Sequence, residues 1–261
     1  MSEQLVRIDT PAEGVRYLTL DDPGTRNALG DELLDQLLEA LEAARDDPDV
    51  RVVVITSSHD RIFSSGGNLK AFGDDRPMAE KYAGLGRFPR LYTLIGALGK
   101  PVICAANGDV LAGAFGVALA CDLVLAKESA KFGCPEINVG VFPFMISALI
   151  YRNIDRMKAN ELMMMGNLVS ATEGAELGFV NQVIPDAEFS AEVLRWATTI
   201  ASKSPLLMKL GKQAINSTRD MALGEALSAL QAQLALAFAT EDMKEGVAAF
   251  REKRDPNWTL R

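Results

Sequence analysis

The run Val52-Val53-Val54-Ile55-Thr56 constrains the fold more than any other feature of the chain. It is an unbroken series of β-branched residues with no polar alternation, the signature of a strand buried on both faces. The sequence around it repeats the theme. Leu5 to Asp9 and Val15 to Leu20 read as strands separated by a Pro11-Ala12-Glu13-Gly14 turn. Leu33, Leu34, Leu37, Leu38 and Leu41 recur at helical spacing, and Asp47-Pro48 ends that segment. Pro101 to Ala106 and Leu123 to Ala126 are further buried strands, joined by glycine-containing turns and apolar helical stretches. Strands that alternate with helices place the chain in the α/β class.

From Ala187 onward the periodicity is helical, carried by Leu194, Ala197 and Ile200, then by Leu223, Leu227, Leu230 and Leu234. A last helix from Glu241 to Lys253 is stopped by Asp255-Pro256. The expected division is a core over residues 1–186 and a helical region over residues 187–261. Met163-Met164-Met165 sits in a helical segment and is expected to fill the core, with a greasy substrate channel as the alternative.

Charge and composition remove several function classes. A net charge of -8 without a dense basic block opposes a nucleic-acid surface. The most apolar stretch, Val110 to Cys121, lies between Asp109 and Asp122 and is too short to cross a bilayer. Met1 to Thr10 lacks the basic start and apolar run of a secretory signal, so a cytoplasmic protein is expected. Cys104, Cys121 and Cys134 show no metal spacing and are expected to be reduced and buried. His59 is the single histidine and falls in a polar turn, which disfavours His-rich zinc sites and a Ser-His-Asp triad. No metal is expected, and proton transfer falls to a carboxylate.

Three segments carry candidate chemistry. Ser64-Ser65-Gly66-Gly67-Asn68-Leu69-Lys70 follows a strand region and leads toward a helix that could begin at Asn68. Glycines there can present backbone N–H groups to a ligand, although a glycine pair after a strand also serves as a plain tight turn. Asn107 to Gly116 follows another buried strand and places Gly113 in the first turn of an apolar helix, where an N–H is left without an intrahelical acceptor. In Phe132-Gly133-Cys134-Pro135-Glu136-Ile137, apolar neighbours flank a carboxylate, and burial there raises its pKa toward that of a useful base.

In this order and spacing the segments resemble the crotonase family, the enoyl-CoA hydratase/isomerase superfamily. The resemblance extends to Arg26-Asn27-Ala28-Leu29, to Ser170 through Pro185 and to the tail Thr240 through Arg254, so it spans nearly the whole chain. It implies a spiral of ββα units forming two roughly perpendicular sheets, with a C-terminal helical region that assembles trimers, often paired as hexamers. By motif match, the oxyanion amides fall on Gly67 and Gly113, and Glu136 is the acid/base glutamate. Substrate and coenzyme A binding would involve Arg26, Asn27, Ala28, Leu29, Ser65, Gly66, Asn68, Leu69, Lys70, Leu111, Gly116 and Phe144. Coenzyme A enters as part of the substrate, and no separate cofactor is implied.

The chain departs from the family pattern in places. Gly116 stands where many hydratases carry a second glutamate, Asn68 stands where the family has an aspartate, and Phe142-Pro143-Phe144-Met145 replaces a glycine-rich stretch. A single carboxylate suits proton shuttling from C2 to C4 of a 3-enoyl thioester better than water addition. Double-bond isomerisation is therefore expected, with hydration of a 2-enoyl thioester, thioester hydrolysis and non-catalytic acyl-CoA binding as alternatives.

Overall fold

The structure is a computed structural model describing residues 3–68, 75 and 77–261. It opens with the antiparallel strands β1 (Val6–Ala12) and β2 (Val15–Leu20), followed by helix α1 (Asp31–Asp46). Next come β3 (Val52–Ser57), β4 (Ile62–Ser64), α2 (Met78–Leu85) and α3 (Arg87–Ala97). A third pair, β5 (Val102–Ala106) and β6 (Asp109–Leu111), leads into α4 (Gly113–Ala120). A fourth, β7 (Leu123–Lys127) and β8 (Lys131–Gly133), leads into a 3-10 turn (Pro135–Val139), α5 (Phe144–Asn153) and α6 (Arg156–Met165). Then follow β9 (Leu168–Ser170), α7 (Ala171–Glu176) and β10 (Gln182–Ile184). The chain finishes with α8 (Phe189–Ala201), α9 (Pro205–Thr218), α10 (Leu223–Ala239) and α11 (Glu241–Glu252).

The strand pairs are divided between two sheets. One has the order β1-β2-β3-β5-β7-β10 and the other β4-β6-β8-β9. Each of the middle pairs thus gives its first strand to the large sheet and its second to the small one, which is the ββα spiral the resemblance implied. β3, β5 and β7 run parallel in the large sheet, and β4, β6 and β8 run parallel in the small one.

The Val52 run behaves as its sequence demands. Val53 and Ile55 face a core shared with α1, α3 and α4, while Val52 and Val54 face the opposite side, where Phe189, Val193, Ala197 and Ala201 of α8 cover the sheet. A strand with helices on both faces has no polar face to show, which is why the alternation is missing. α4 is anchored by Phe115, whose ring lies 6.1 Å from that of Phe132 on β8 and 5.2 Å from that of Phe179.

Other expectations meet mixed outcomes. Of the methionine run only Met163 enters the core; Met164 and Met165 are exposed on the outer side of α6, since a helix turns adjacent residues away from one another. His59 ties off its own turn, its Nδ1 accepting from the N–H groups of Arg61 and Ile62. Cys104 and Cys134 are buried thiols and Cys121 is partly buried. No helix among the described residues is long and apolar enough to cross a membrane.

Candidate active site

The site is built where three neighbouring strands of the small sheet end. β4, β6 and β8 are adjacent and parallel, so the segments that follow them emerge side by side: Ser65-Gly66-Gly67 after β4, Ala112-Gly113 after β6, and Cys134-Pro135-Glu136 after β8. The crevice beyond the carboxyl ends of parallel strands is where open α/β sheets bind ligands.

The first segment is held from behind by the loop at Arg26–Leu29. The Ser65 N–H donates to the Arg26 carbonyl at 3.0 Å, and the Leu29 N–H donates to the Gly66 carbonyl at 2.7 Å. Leu29 and Gly67 form a parallel bridge, whose bond on this side runs to Gly66 and not to Gly67 itself. Asn27 is fully buried, and its amide nitrogen donates to Ser57 Oγ at 2.7 Å and to the Phe63 carbonyl at 3.0 Å. Gly66 adopts φ +86°, and a Cβ there would stand 2.4 Å from the Ala112 Cβ and 2.7 Å from the Leu111 carbonyl. Only glycine lets the two turns approach this closely.

The second segment is strained and clamped. Ala112 has φ 54° and ψ -129°, an unfavourable setting for a residue with a Cβ. Its N–H donates to the Gly133 carbonyl at 2.9 Å, which ties β6 to β8. Its carbonyl accepts from the Phe115 N–H at 2.8 Å and so points into the helix. In a trans peptide the N–H opposes the carbonyl, so the Gly113 N–H points out of the helix, where the first turn offers it no acceptor. A Cβ on Gly113 would stand 2.8 Å from a ring carbon of Phe88.

Glu136 lies in the 3-10 turn that Pro135 initiates. Its Oε2 is buried and has no hydrogen-bond partner among the described residues. Burial pushes the carboxyl pKa up to about 7, opposed by a hydrogen bond from its own backbone. The thiol of Cys134 is pushed up to about 12, first by burial and then by the charge of Glu136.

These segments converge on a cavity of about 720 Å³. Gly67, Gly113 and Glu136 all line it, and Glu136 is the one charged side chain among the described lining residues. The walls are apolar and aromatic, with Phe88, Tyr92, Val141, Phe142, Phe144 and Ile146 prominent. Phe142 and Phe144 pack against each other at 5.4 Å between centroids.

Of the other residues expected at the site, Ser65 and Phe144 line the cavity. Gly66 and Leu111 form the tight junction behind it, while Arg26 is exposed, Ala28 half-buried and Leu29 buried in the bracing loop. Asn68 is half-buried, its amide 3.4 Å from the Cβ position of Gly30; Leu69 and Lys70, with any helix beginning there, lie outside the described residues. Gly116 requires a correction, because it is buried and does not reach the cavity. A Cβ there would meet Tyr92 Cζ and Oη at 2.6 Å and Ile146 Cγ2 at 2.7 Å, so Tyr92 occupies the space between Gly116 and the opening. Tyr92, Phe88 and Tyr82 are cavity residues that sequence reasoning missed; they come from α2 and α3, whose pattern marks them only as helical.

The chain matches the family model for enoyl-CoA hydratase/isomerase over residues 10–261. It is 35% identical to the 2,3-dehydroadipyl-CoA hydratase of Escherichia coli over 99% of both chains. It is 34% identical to the crotonyl-CoA hydratase of Syntrophomonas wolfei over 94% of this chain and 95% of that one. The crystal structure of an enoyl-CoA hydratase from Mycobacterium smegmatis superposes with a TM-score of 0.94 at 30% identity, covering 98% of this chain and 99% of that one.

Proposed function

Since the chain belongs to the enoyl-CoA hydratase/isomerase family, we propose that it acts on an enoyl thioester of coenzyme A through an enolate and favours migration of the double bond. The observation that carries this reading is the pairing, in one apolar cavity, of the Gly67 and Gly113 turns with the buried carboxylate of Glu136, the one charged side chain among the described lining residues. The thioester oxygen sits between the amides of Gly67 and Gly113. Glu136 takes the proton from C2 of a 3-enoyl thioester, and the charge left behind spreads onto that oxygen. The same carboxyl then returns the proton at C4, so the 3-enoyl group becomes a 2-enoyl group with no net gain or loss of atoms.

Magnitudes favour this division of labour. One oxyanion donor is worth about 2.7–4 kcal/mol in comparable acyl chemistry. Raising Glu136 to about 7 strengthens it as a base by some 2–3 pKa units, at about 1.4 kcal/mol per unit. Two donors therefore outweigh the tuning of the base. The apolar walls suit an uncharged acyl group, and the exposed Arg26 together with Ser65 would meet coenzyme A near the opening.

Hydration is the second reading, favoured by the relatives, which are named as hydratases. Incubation with crotonyl-CoA and, separately, with a 3-enoyl-CoA distinguishes the two. Conversion of the 3-enoyl ester at constant mass, faster than any gain of water by crotonyl-CoA, is the expected result. A dominant gain of water makes the chain a hydratase, and release of free coenzyme A makes it a hydrolase.

The chain also self-associates in this proposal. α10 contains no buried residue, yet Leu223, Leu227, Leu234 and Phe238 are each more than half exposed along it. A helix so apolar on its open side is stable in water when another surface covers it. Light scattering after size exclusion is expected to give the mass of three or six copies, and Leu227→Glu with Leu234→Glu is expected to lower it. A wild-type monomer at micromolar concentration refutes the assembly.

A further inference from the structure

The geometry points to Tyr92 as a positioning residue that holds the Ala112–Gly113 turn in the setting that aims the Gly113 amide into the cavity. This inference rests on the oxyanion role proposed for that amide and concerns a side chain to which that role assigns nothing.

The argument starts from what the turn lacks. Ala112 sits in a strained backbone setting, and such a residue relaxes unless its surroundings hold it. Its own N–H is held by Gly133 and its carbonyl by Phe115. The next carbonyl, that of Gly113, accepts from the Tyr92 hydroxyl at 2.8 Å. The backbone on either side of the Gly113 N–H is thereby fixed, upstream by β8 and downstream by α3.

The ring of Tyr92 performs the second half of the task. It is held 6.1 Å from Phe88, whose own ring lies under Gly113, and it fills the volume over Gly116 so closely that no Cβ fits there. Tyr92 is 9% exposed and also lines the cavity, so its position is registered by the helix, the turn and the ligand space together. Burial, then the charge of Glu136, pushes the phenol above its ordinary pKa, so the hydroxyl stays protonated and remains a donor throughout the working range. Glycine at 116 and tyrosine at 92 thus act as one unit.

Tyr92→Phe removes one oxygen and keeps the ring. It is expected to lower kcat about tenfold with KM within about twofold, the result of weakening an interaction made in the transition state. The direct readout is the thioester C=O stretch of bound butyryl-CoA labelled at that carbon, which cannot undergo turnover. Wild type lowers its frequency relative to water, and Tyr92→Phe recovers part of that shift at unchanged affinity. Gly116→Ala, whose methyl group would meet the Tyr92 ring at 2.6 Å and Ile146 Cγ2 at 2.7 Å, is expected to recover at least as much of the shift. A full shift retained in Tyr92→Phe, or a raised KM at unchanged kcat, overturns the positioning role while leaving the proposed function standing. A wild type that leaves the stretch at its value in water overturns both.

Discussion

Glu136→Gln is expected to lower turnover of the preferred enoyl-CoA by about 10²- to 10⁴-fold, the range lost when a positioned acid/base group is removed. Glutamine keeps the volume and cannot take a proton, so the Kd for the acyl-CoA should stay within about threefold of wild type. Wild-type-like turnover in the variant ends the proposed role. In wild type the base must be ionised, so kcat/KM should climb with pH below about 7 and level off above it.

The same substitution should act on stability in the opposite direction. The folded state holds the Glu136 proton more tightly than the unfolded chain does, so folding is favoured at low pH and that advantage is lost as pH rises through about 7. Glutamine removes the cost of burying the charge. The variant is therefore expected to melt several degrees above wild type at pH 8, on the order of 1–2 kcal/mol once screening of a partly exposed group is allowed for, and to match it near pH 4.5. Equal melting temperatures at pH 8 would show that the carboxylate is comfortably solvated and not a raised base.

The second large effect belongs to Gly66→Ala. The new methyl group would stand 2.4 Å from the Ala112 Cβ and 2.7 Å from the Leu111 carbonyl, both on a strand end that cannot swing aside. The turns after β4 and β6 must separate, and kcat/KM is expected to fall more than about 100-fold, since a displacement of about 1 Å is enough for that. Gly178→Ala is the matched control, because Gly178 also has φ +86° yet nothing lies within 4 Å of its Cβ position. That control should lose about 1–2 kcal/mol of stability from backbone strain alone and keep its activity. Comparable activity in the two variants would mean that the close approach of the turns has no bearing on the chemistry.

What was legible in the sequence, and what was not, follows from how each residue works. The strands announce themselves because burial on both faces leaves no polar position in Val52–Ser57. Gly67, Gly113 and Glu136 could be singled out only together, because three segments in that order resemble the family's; each alone reads as readily as a tight turn, a close helix contact or a solvated acid. Tyr92 was hidden, since it acts through a turn some twenty residues further along and its helix carries an ordinary amphipathic pattern. Gly116 was misjudged for the same reason: spacing along α4 fixes where a side chain would start, whereas the volume it would enter belongs to α3.

The small sheet has a consequence for how the protein comes into being. Residues 67, 113 and 136 are separated by long stretches of chain, and only the lateral order β4-β6-β8 makes them neighbours. Until β8 docks, the Ala112 N–H lacks its Gly133 acceptor and the acid has no cavity to enter. Catalytic competence should thus emerge in one step, when β8 pairs with β6, and a nascent chain that stops short of that strand carries two glycine turns with nothing to serve.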